Sequence, residues 1–440
     1  MKIYPWIILF FLTNLLVTQD GGTNARSRFA SLRAITETHS FKINNYIDWT
    51  IDWSQTPDGN YYSNKAPGGM FLALPAFFLL DTITKSFDKN LDEKGRRPAP
   101  GYLHKTILSF LMQIIPFIVL ILLWSKMIPL LPAQHFLAIA AFFGTTTSIM
   151  MNSYFGHGLA GTCLLAMSYF LYKENFFYVG LFYGLTLLTD YITGILILPL
   201  FITALLFSKN YYNTFKNILV GGIAPGILWI CYHWICFGSP LTIAMQFQNP
   251  AFLAPGETPQ TMGGALSAIP NFSILWELLF GTSRGILFTQ PWIYLVSFCF
   301  LRLVPKSEYR IRSIGTFSLL GLLALLWIVA SYKDWQGGFI AGPRYLSIIF
   351  PLFAVLAALL YEKMLRIEKI ILWASLAFSV VLRALIYGDT ILAPPENLWV
   401  FYWNALTGER HTALLRTSIF VILFLLASYF AFIKKPKFRT

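Results

Sequence analysis

Apolar residues run in long blocks along almost the whole chain, near 5–19, 106–126, 134–151, 157–172, 176–190, 191–208, 217–236, 285–304, 314–331, 345–361, 369–387 and 413–433. A hydrocarbon core of roughly 30 Å takes about 20 predominantly apolar residues per helix. Inside it, only helices or closed barrels satisfy their own backbone polar groups. The pattern predicts an all-α polytopic membrane protein with about twelve transmembrane helices, within a range of 11 to 13, forming one domain over 1–440. The first block, in "MKIYPWIILFFLTNLLVTQD", follows a basic start but precedes no small-x-small cleavage site, so it reads as a retained anchor helix.

One block does not fit the alternation. Segment 67–83, "PGGMFLALPAFFLLDTI", is apolar but short, opens with Pro-Gly-Gly and contains Pro75. Reading it as a juxtamembrane helix on the outer face, inside a long first outer loop over 20–105, lets the basic loops alternate. The inside then carries Lys126, Lys173, Lys209, Lys216, Arg302, Lys306, Arg310, Arg312, Lys363, Arg366, Lys369, Lys434, Lys435, Lys437 and Arg439, which are fifteen cations. The outer loops after the second crossing carry four, Arg284, Lys333, Arg344 and Arg410. Both termini are therefore expected inside. The reading conflicts with "TKSFDKNLDEKGRRPAPGYLHK" at 84–105, an outer loop with six Lys or Arg that Asp88, Asp92 and Glu93 only partly offset.

Composition agrees with the membrane reading: 56% of the 440 residues are hydrophobic and 12% charged, about half the charged share of a soluble domain. A net charge of +13 would suit nucleic acid, but these cations sit in short loops between apolar blocks, where they orient helices, so no nucleic-acid partner is expected. Cys163, Cys231, Cys236 and Cys299 lie in apolar runs without ligand spacing and read as packing residues. No His/Asp cluster has metal-ligand spacing and no Gly-x-x-x-x-Gly-Lys-Ser/Thr loop occurs. No cofactor is expected, although the sequence does not exclude a divalent metal.

With this orientation the polar irregularities gather on the outer face: 20–66, "YFGHG" at 154–158, "TDY" at 189–191, 237–284, "KDWQGGFIAGPRY" at 333–345, and 388–412. Loops on a rigid helical scaffold are common carriers of chemistry, so the outer face is expected to hold the site. The stretches "TNARSRFASLRAITETHSF", "TIDW", "DGNYYSNKAPGG", "YFGHGLA", "LLFGTSRGILFTQPW" and "WQGGFIAGPRYLSIIFP" resemble, in motif order over most of the chain, the polytopic bacterial membrane glycosyltransferases of the GT-C class. Protein O-mannosyltransferases and the lipid A aminoarabinose transferase belong to that class. The resemblance implies sugar transfer from a polyprenyl-phosphate donor to a glycan, lipid or protein acceptor. It also implies a multi-pass protein of the cell's inner, cytoplasmic membrane, among membrane lipids, with its site on the outer, periplasmic face.

Such a reaction needs fixed cations for the departing phosphate, and Lys65, Arg28 and Arg344 are placed to supply them. It also needs a base for the acceptor hydroxyl. Asp52 is the first choice, because "TIDW" resembles a Thr-x-Asp element that precedes the Tyr-Tyr-Ser-x-Lys stretch in relatives. Asp58 comes second, although an Asp-Gly pair is also an ordinary turn, and Asp20 is a third candidate. Asn64 stands where a carboxylate often precedes the lysine, and Asn24 near where relatives carry an acid.

His157, Asp190, Tyr62 and Trp335 are pocket candidates, with Trp335 a possible sugar platform beside Gly337 and Gly338. His157 reads equally as a structural hydrogen-bonding residue. The rival readings are a secondary transporter, for which no internal repeat is visible, and a non-enzymatic polytopic protein of envelope glycan assembly.

Overall fold

The computed structural model describes residues 3–16, 22–86, 91–93, 95–252, 267, 269–338, 342–388 and 411–433. In chain order the helices are α1 (Tyr4–Leu16), α2 (Gly22–Thr38), α3 (Gly68–Lys85), α4 (Tyr102–Met127), α5 (Leu131–Phe143), α6 (Thr147–Asn152), α7 (Gly156–Tyr172) and α8 (Phe176–Thr189). They continue with α9 (Tyr191–Phe207), α10 (Tyr211–Phe237), α11 (Phe272–Phe280), α12 (Trp292–Leu303), α13 (Tyr309–Ala330), α14 (Phe350–Leu360), α15 (Arg366–Gly388) and α16 (His411–Ser428). Among the described residues, five apolar helices are long enough by length and composition to cross a membrane: α3, α4, α10, α13 and Leu415–Phe432. Shorter apolar rods, α1, α5, α8 and α9, lie among them.

The bundle is organised around α14, "FPLFAVLAALL", which is apolar all round and buried along nearly its whole length against α5, α7, α12 and α13. Helix α1 runs beside α5 in the same direction: Trp6 Nε1 donates to His135 Nδ1 at 3.0 Å, and Phe10 stacks on Phe142 with ring centres 4.5 Å apart. The tryptophan N–H thus finds a partner inside an apolar core, where leaving it unpaired would be costly.

Helix α3 meets the length criterion for a span, and both its ends are tied to neighbouring helices. Its first turn abuts the end of α8, where a Cβ added at Gly68 would come within 2.7 Å of the Leu188 carbonyl. Near its last turn, Thr84 Oγ1 hydrogen-bonds His104 Nε2 at 3.2 Å in the first turn of α4. Alongside runs the polar α2: Arg33 reaches Asp81 at 2.6 Å. Arg97 bridges Asp81 at 2.7 Å and Glu37 at 2.6 Å, and Tyr46 donates to Glu37. Helix α3 is thus joined along its side to a polar neighbour by a buried ion-pair network. Of the cations in 84–105, Arg97 joins this network and Arg96 pairs with Asp48 and Asp92, each at 2.6 Å.

The strands among the described residues form one antiparallel hairpin, β1 (Trp53–Gln55) with β2 (Tyr61–Ser63), paired Trp53 with Ser63 and Gln55 with Tyr61. The Thr56–Asn60 turn is closed by the Asp58 carboxylate, which accepts from Thr56 Oγ1 and from Asn60 Nδ2, with Gly59 at φ +80°.

Candidate active site

The hairpin register explains the spacing of the acid and the lysine. Asp52 precedes β1 and Lys65 follows β2, so antiparallel pairing brings residues thirteen apart side by side. The Asn64 amide donates to the Asp52 carbonyl at 3.3 Å, and Lys65 Nζ meets Asp52 Oδ1 at 3.0 Å. Helix α2 locks the pair in place: Thr23 Oγ1 donates to Asp52 Oδ2 at 2.8 Å, and Ser27 Oγ donates to the Asp52 carbonyl at 2.5 Å. Asp52 is 6% exposed, and both its oxygens are engaged.

Arg28 enters from the next turn of α2. Its Nη1 donates to the Asn24 carbonyl at 3.1 Å and to the Asn24 side chain. The rest of the guanidinium lies in a slot between the first turns of α3 and α7. A Cβ on Gly156 would fall 2.7 Å from Arg28 Nη2 and 2.7 Å from the Thr189 carbonyl, so only glycine fits there. A Cβ on Gly69 would come within 3.3 Å of Arg28 Nε. The Pro-Gly-Gly and Phe-Gly-His-Gly motifs therefore make room for an arginine. Neither helix start has a side-chain cap, so their first N–H groups and dipoles add positive potential.

From the other side, Arg344 lays its guanidinium 4.6 Å over the Phe155 ring and donates through Nη1 to the Gly337 carbonyl at 2.7 Å. Arg28, Lys65 and Arg344 lie within one another's electrostatic influence, with Asp52 as the carboxylate between them. The Nε groups of Arg28 and Arg344 are buried without a hydrogen-bond partner among the described residues. Burial and the two guanidiniums depress the Lys65 ammonium below the ordinary lysine value, against the pull of Asp52. Burial works to raise the Asp52 carboxyl, but Lys65, Thr23 and Arg344 outweigh it and hold it below the usual carboxylate range. With Arg284 behind Arg344, four cations face three carboxylates, Asp52, Asp190 and Asp334, and the surplus positive charge is left for an anion.

His157 Nδ1 pairs with Asp190 in the wall of this cluster, and its ring stands edge-on to Tyr345 with centres 5.3 Å apart. Asp190 also caps the turn that opens α9, accepting from the Ile192 amide at 3.3 Å. Trp335 is half-buried against the main apolar core, in the same loop as the Arg344 anchor Gly337. Two sequence candidates stand apart. Asp58 sits at the exposed hairpin tip with its oxygens engaged in the turn, because an Asp-Gly pair is what a tight loop selects. Tyr62 points the other way along β2 into a second apolar cluster, its ring edge-on to Phe237 at 5.5 Å. Asp20 lies outside the described residues.

The sequence reading passed over Asp334 and Arg284. Arg284 is 1% exposed and donates to the Gly338 carbonyl at 2.6 Å; burial and Arg344 lower its pKa to about 10. The available signal was that both belong to quoted motifs, "GTSRG" and "KDWQGG". Among the described residues no group of three His, Cys, Asp or Glu is disposed to hold a metal ion.

The bundle, its long first loop with a hairpin, and the polar cluster where they meet share their fold with a solved membrane protein. Among solved structures the chain is similar to ArnT from Cupriavidus metallidurans bound to undecaprenyl phosphate. The TM-score is 0.52 and the identity 11%, covering 97% of this chain and 70% of that one. No family model and no curated protein matches the sequence.

Proposed function

We propose that this protein is a membrane glycosyltransferase that moves a sugar from a polyprenyl-phosphate donor to an acceptor at the outer face of the cell's cytoplasmic membrane. The observation that carries the reading is the convergence of Arg28, Lys65 and Arg344 at the starts of two helices, with two guanidinium Nε groups unpartnered. In a buried setting those donors suit a phosphate monoester better than a neutral ligand. The fold match supports the same reading, since the similar structure holds a polyprenyl phosphate.

The acceptor oxygen bonds to the anomeric carbon as the bond from that carbon to the phosphate oxygen breaks. The electron pair leaves with the polyprenyl phosphate, whose growing charge the three cations stabilise. They are fixed before the reaction by the hairpin, the glycine slot and the Gly337 carbonyl, so little reorganisation is needed. Asp52, given first as the base, is better suited to holding Lys65 in place, because its oxygens are occupied and its proton affinity is lowered. His157, Asp190 and Trp335 shape the sugar-facing wall.

The experiment is a binding and turnover assay with undecaprenyl phosphate and a panel of undecaprenyl-phosphate sugars. Wild type should bind the carrier and release it from at least one donor. Lys65→Met and Arg344→Met should each weaken carrier binding while the protein remains folded. Carrier binding that is the same in all three proteins would refute the assignment.

A further inference from the structure

The hairpin and α2 occupy both oxygens of Asp52, and Asp190 is committed to His157 and the Ile192 amide. A glycosyl transfer still requires a carboxylate or similar group free to take the acceptor's proton. Asp334 meets that description. Its side chain is exposed and, among the described residues, makes no hydrogen bond or ion pair. It is nonetheless part of the cluster, within the electrostatic influence of Arg344, Lys65, Arg284 and Asp52.

The loop that carries it is rigidly set. Arg344 Nη1 holds the Gly337 carbonyl at 2.7 Å, Arg284 Nη2 holds the Gly338 carbonyl at 2.6 Å, and the Gly337 amide closes back on the Asp334 carbonyl at 3.1 Å. Gly337 sits at φ +65°, and a Cβ there would lie 3.1 Å from both Arg344 Cδ and the Tyr345 ring. The two arginines that face the site therefore also fix the shelf on which Asp334 stands. Resting on the glycosyltransferase reading above, the geometry points to Asp334 as the general base, the catalytic residue that accepts the acceptor hydroxyl's proton. As the acceptor oxygen closes on the anomeric carbon, its proton passes to a carboxylate oxygen of Asp334. The polyprenyl phosphate departs with the electron pair toward Lys65, Arg28 and Arg344.

The electrostatic surroundings agree. Partial loss of solvent on the bundle side of this exposed carboxyl raises its proton affinity above that of an ordinary aspartate, despite the opposing pull of Arg344, Lys65 and Arg284; Asp52 adds to the rise. Among the described residues, Tyr332 and Tyr345 also lie within its electrostatic reach. Two carboxylates in one site are thus pushed apart, Asp52 downward and Asp334 upward, as different duties require.

The test compares wild type, Asp334→Asn, Asp334→Glu and Asp52→Asn, measuring undecaprenyl phosphate binding and kcat and KM for sugar transfer in parallel. Loss of a general base typically costs about 10²–10⁴-fold in rate. Asp334→Asn should show that loss in kcat with carrier affinity unchanged, and the acidic limb of its pH–rate profile should vanish. Asp334→Glu should recover part of the rate and keep a limb. Full turnover in Asp334→Asn, or a loss of carrier binding that matches its loss of rate, would overturn the assignment. Failure of wild type both to bind undecaprenyl phosphate and to transfer from any donor would instead overturn the glycosyltransferase reading on which it rests.

Discussion

Replacing Lys65 with methionine tests the charge logic of the site, because the residue answers to two partners at once. The side chain keeps its length and apolar stem but loses the ammonium that meets Asp52 at 3.0 Å. A hydrogen bond involving a charged group is worth about 1.5–3 kcal/mol, so the lost contact alone should weaken carrier binding roughly 10- to 150-fold. A second effect adds to this. Asp52, 6% exposed, is left as a buried carboxylate with no cation bonded to it, facing the place where the phosphate would sit. The total loss in Lys65→Met should therefore exceed the contact value, and the protein should also melt at a lower temperature, since an abandoned buried charge is costly.

The double variant Lys65→Met/Asp52→Asn removes that penalty. It should bind undecaprenyl phosphate more tightly than Lys65→Met and recover part of the melting temperature, a coupling readable as a double-mutant cycle. Titration with undecaprenyl phosphate in detergent, followed by native mass spectrometry, gives the affinities, and a thermal melt gives the stabilities. Equal affinities for the single and double variants, or no loss in the single one, would refute the reasoning.

Three further outcomes follow from the same geometry. The Lys65 pKa lies below its unfolded value, so the folded protein sheds that proton first as pH rises; carrier affinity should start to fall below the ordinary lysine pKa of about 10.4, and Lys65→Arg should move the fall to higher pH in a binding titration. Gly156→Ala would set a methyl 2.7 Å from both Arg28 Nη2 and the Thr189 carbonyl; overpacking costs about 1–3 kcal/mol, so a melt should show destabilisation and a binding assay a displaced Arg28, whereas wild-type values in both would mean the slot is slack. A cysteine at Asn60, on the exposed hairpin, should be labelled by an impermeant reagent from the outer side and one at Lys209 only from the inside; the opposite pattern would reverse the topology and move the site to the cytoplasmic face.

Much of the bundle was legible because apolar block length is a direct consequence of bilayer thickness. The juxtamembrane reading of 67–83 came from charge alternation; the ion pairs that join its Asp81 to Arg33 and Arg97 could not be seen, because they bring together separate parts of the chain. For the site, Lys65, Arg28 and Arg344 were legible as cations in polar outer motifs. The pairing of Lys65 with Asp52 was not, since it depends on a two-strand register fixed by the Asp58 turn. Asp58, the second choice for the base, closes that turn, while Asp52, the first choice, thirteen residues before the lysine, meets its ammonium. Asp334 escaped notice because nothing in a lone acid beside a tryptophan announces that two distant arginines will build a shelf beneath it.

The central claim is that one phosphate-binding cluster, assembled from α2, the hairpin and the start of the Arg344 segment, receives a polyprenyl-phosphate carrier. A cryo-EM structure of the protein with undecaprenyl phosphate tests it most directly. The account predicts phosphate density within hydrogen-bonding distance of Arg28, Lys65 and Arg344, with the isoprenoid chain running out along the membrane helices and Asp334 facing the space beyond the phosphate. Density for the phosphate away from these three cations would contradict it.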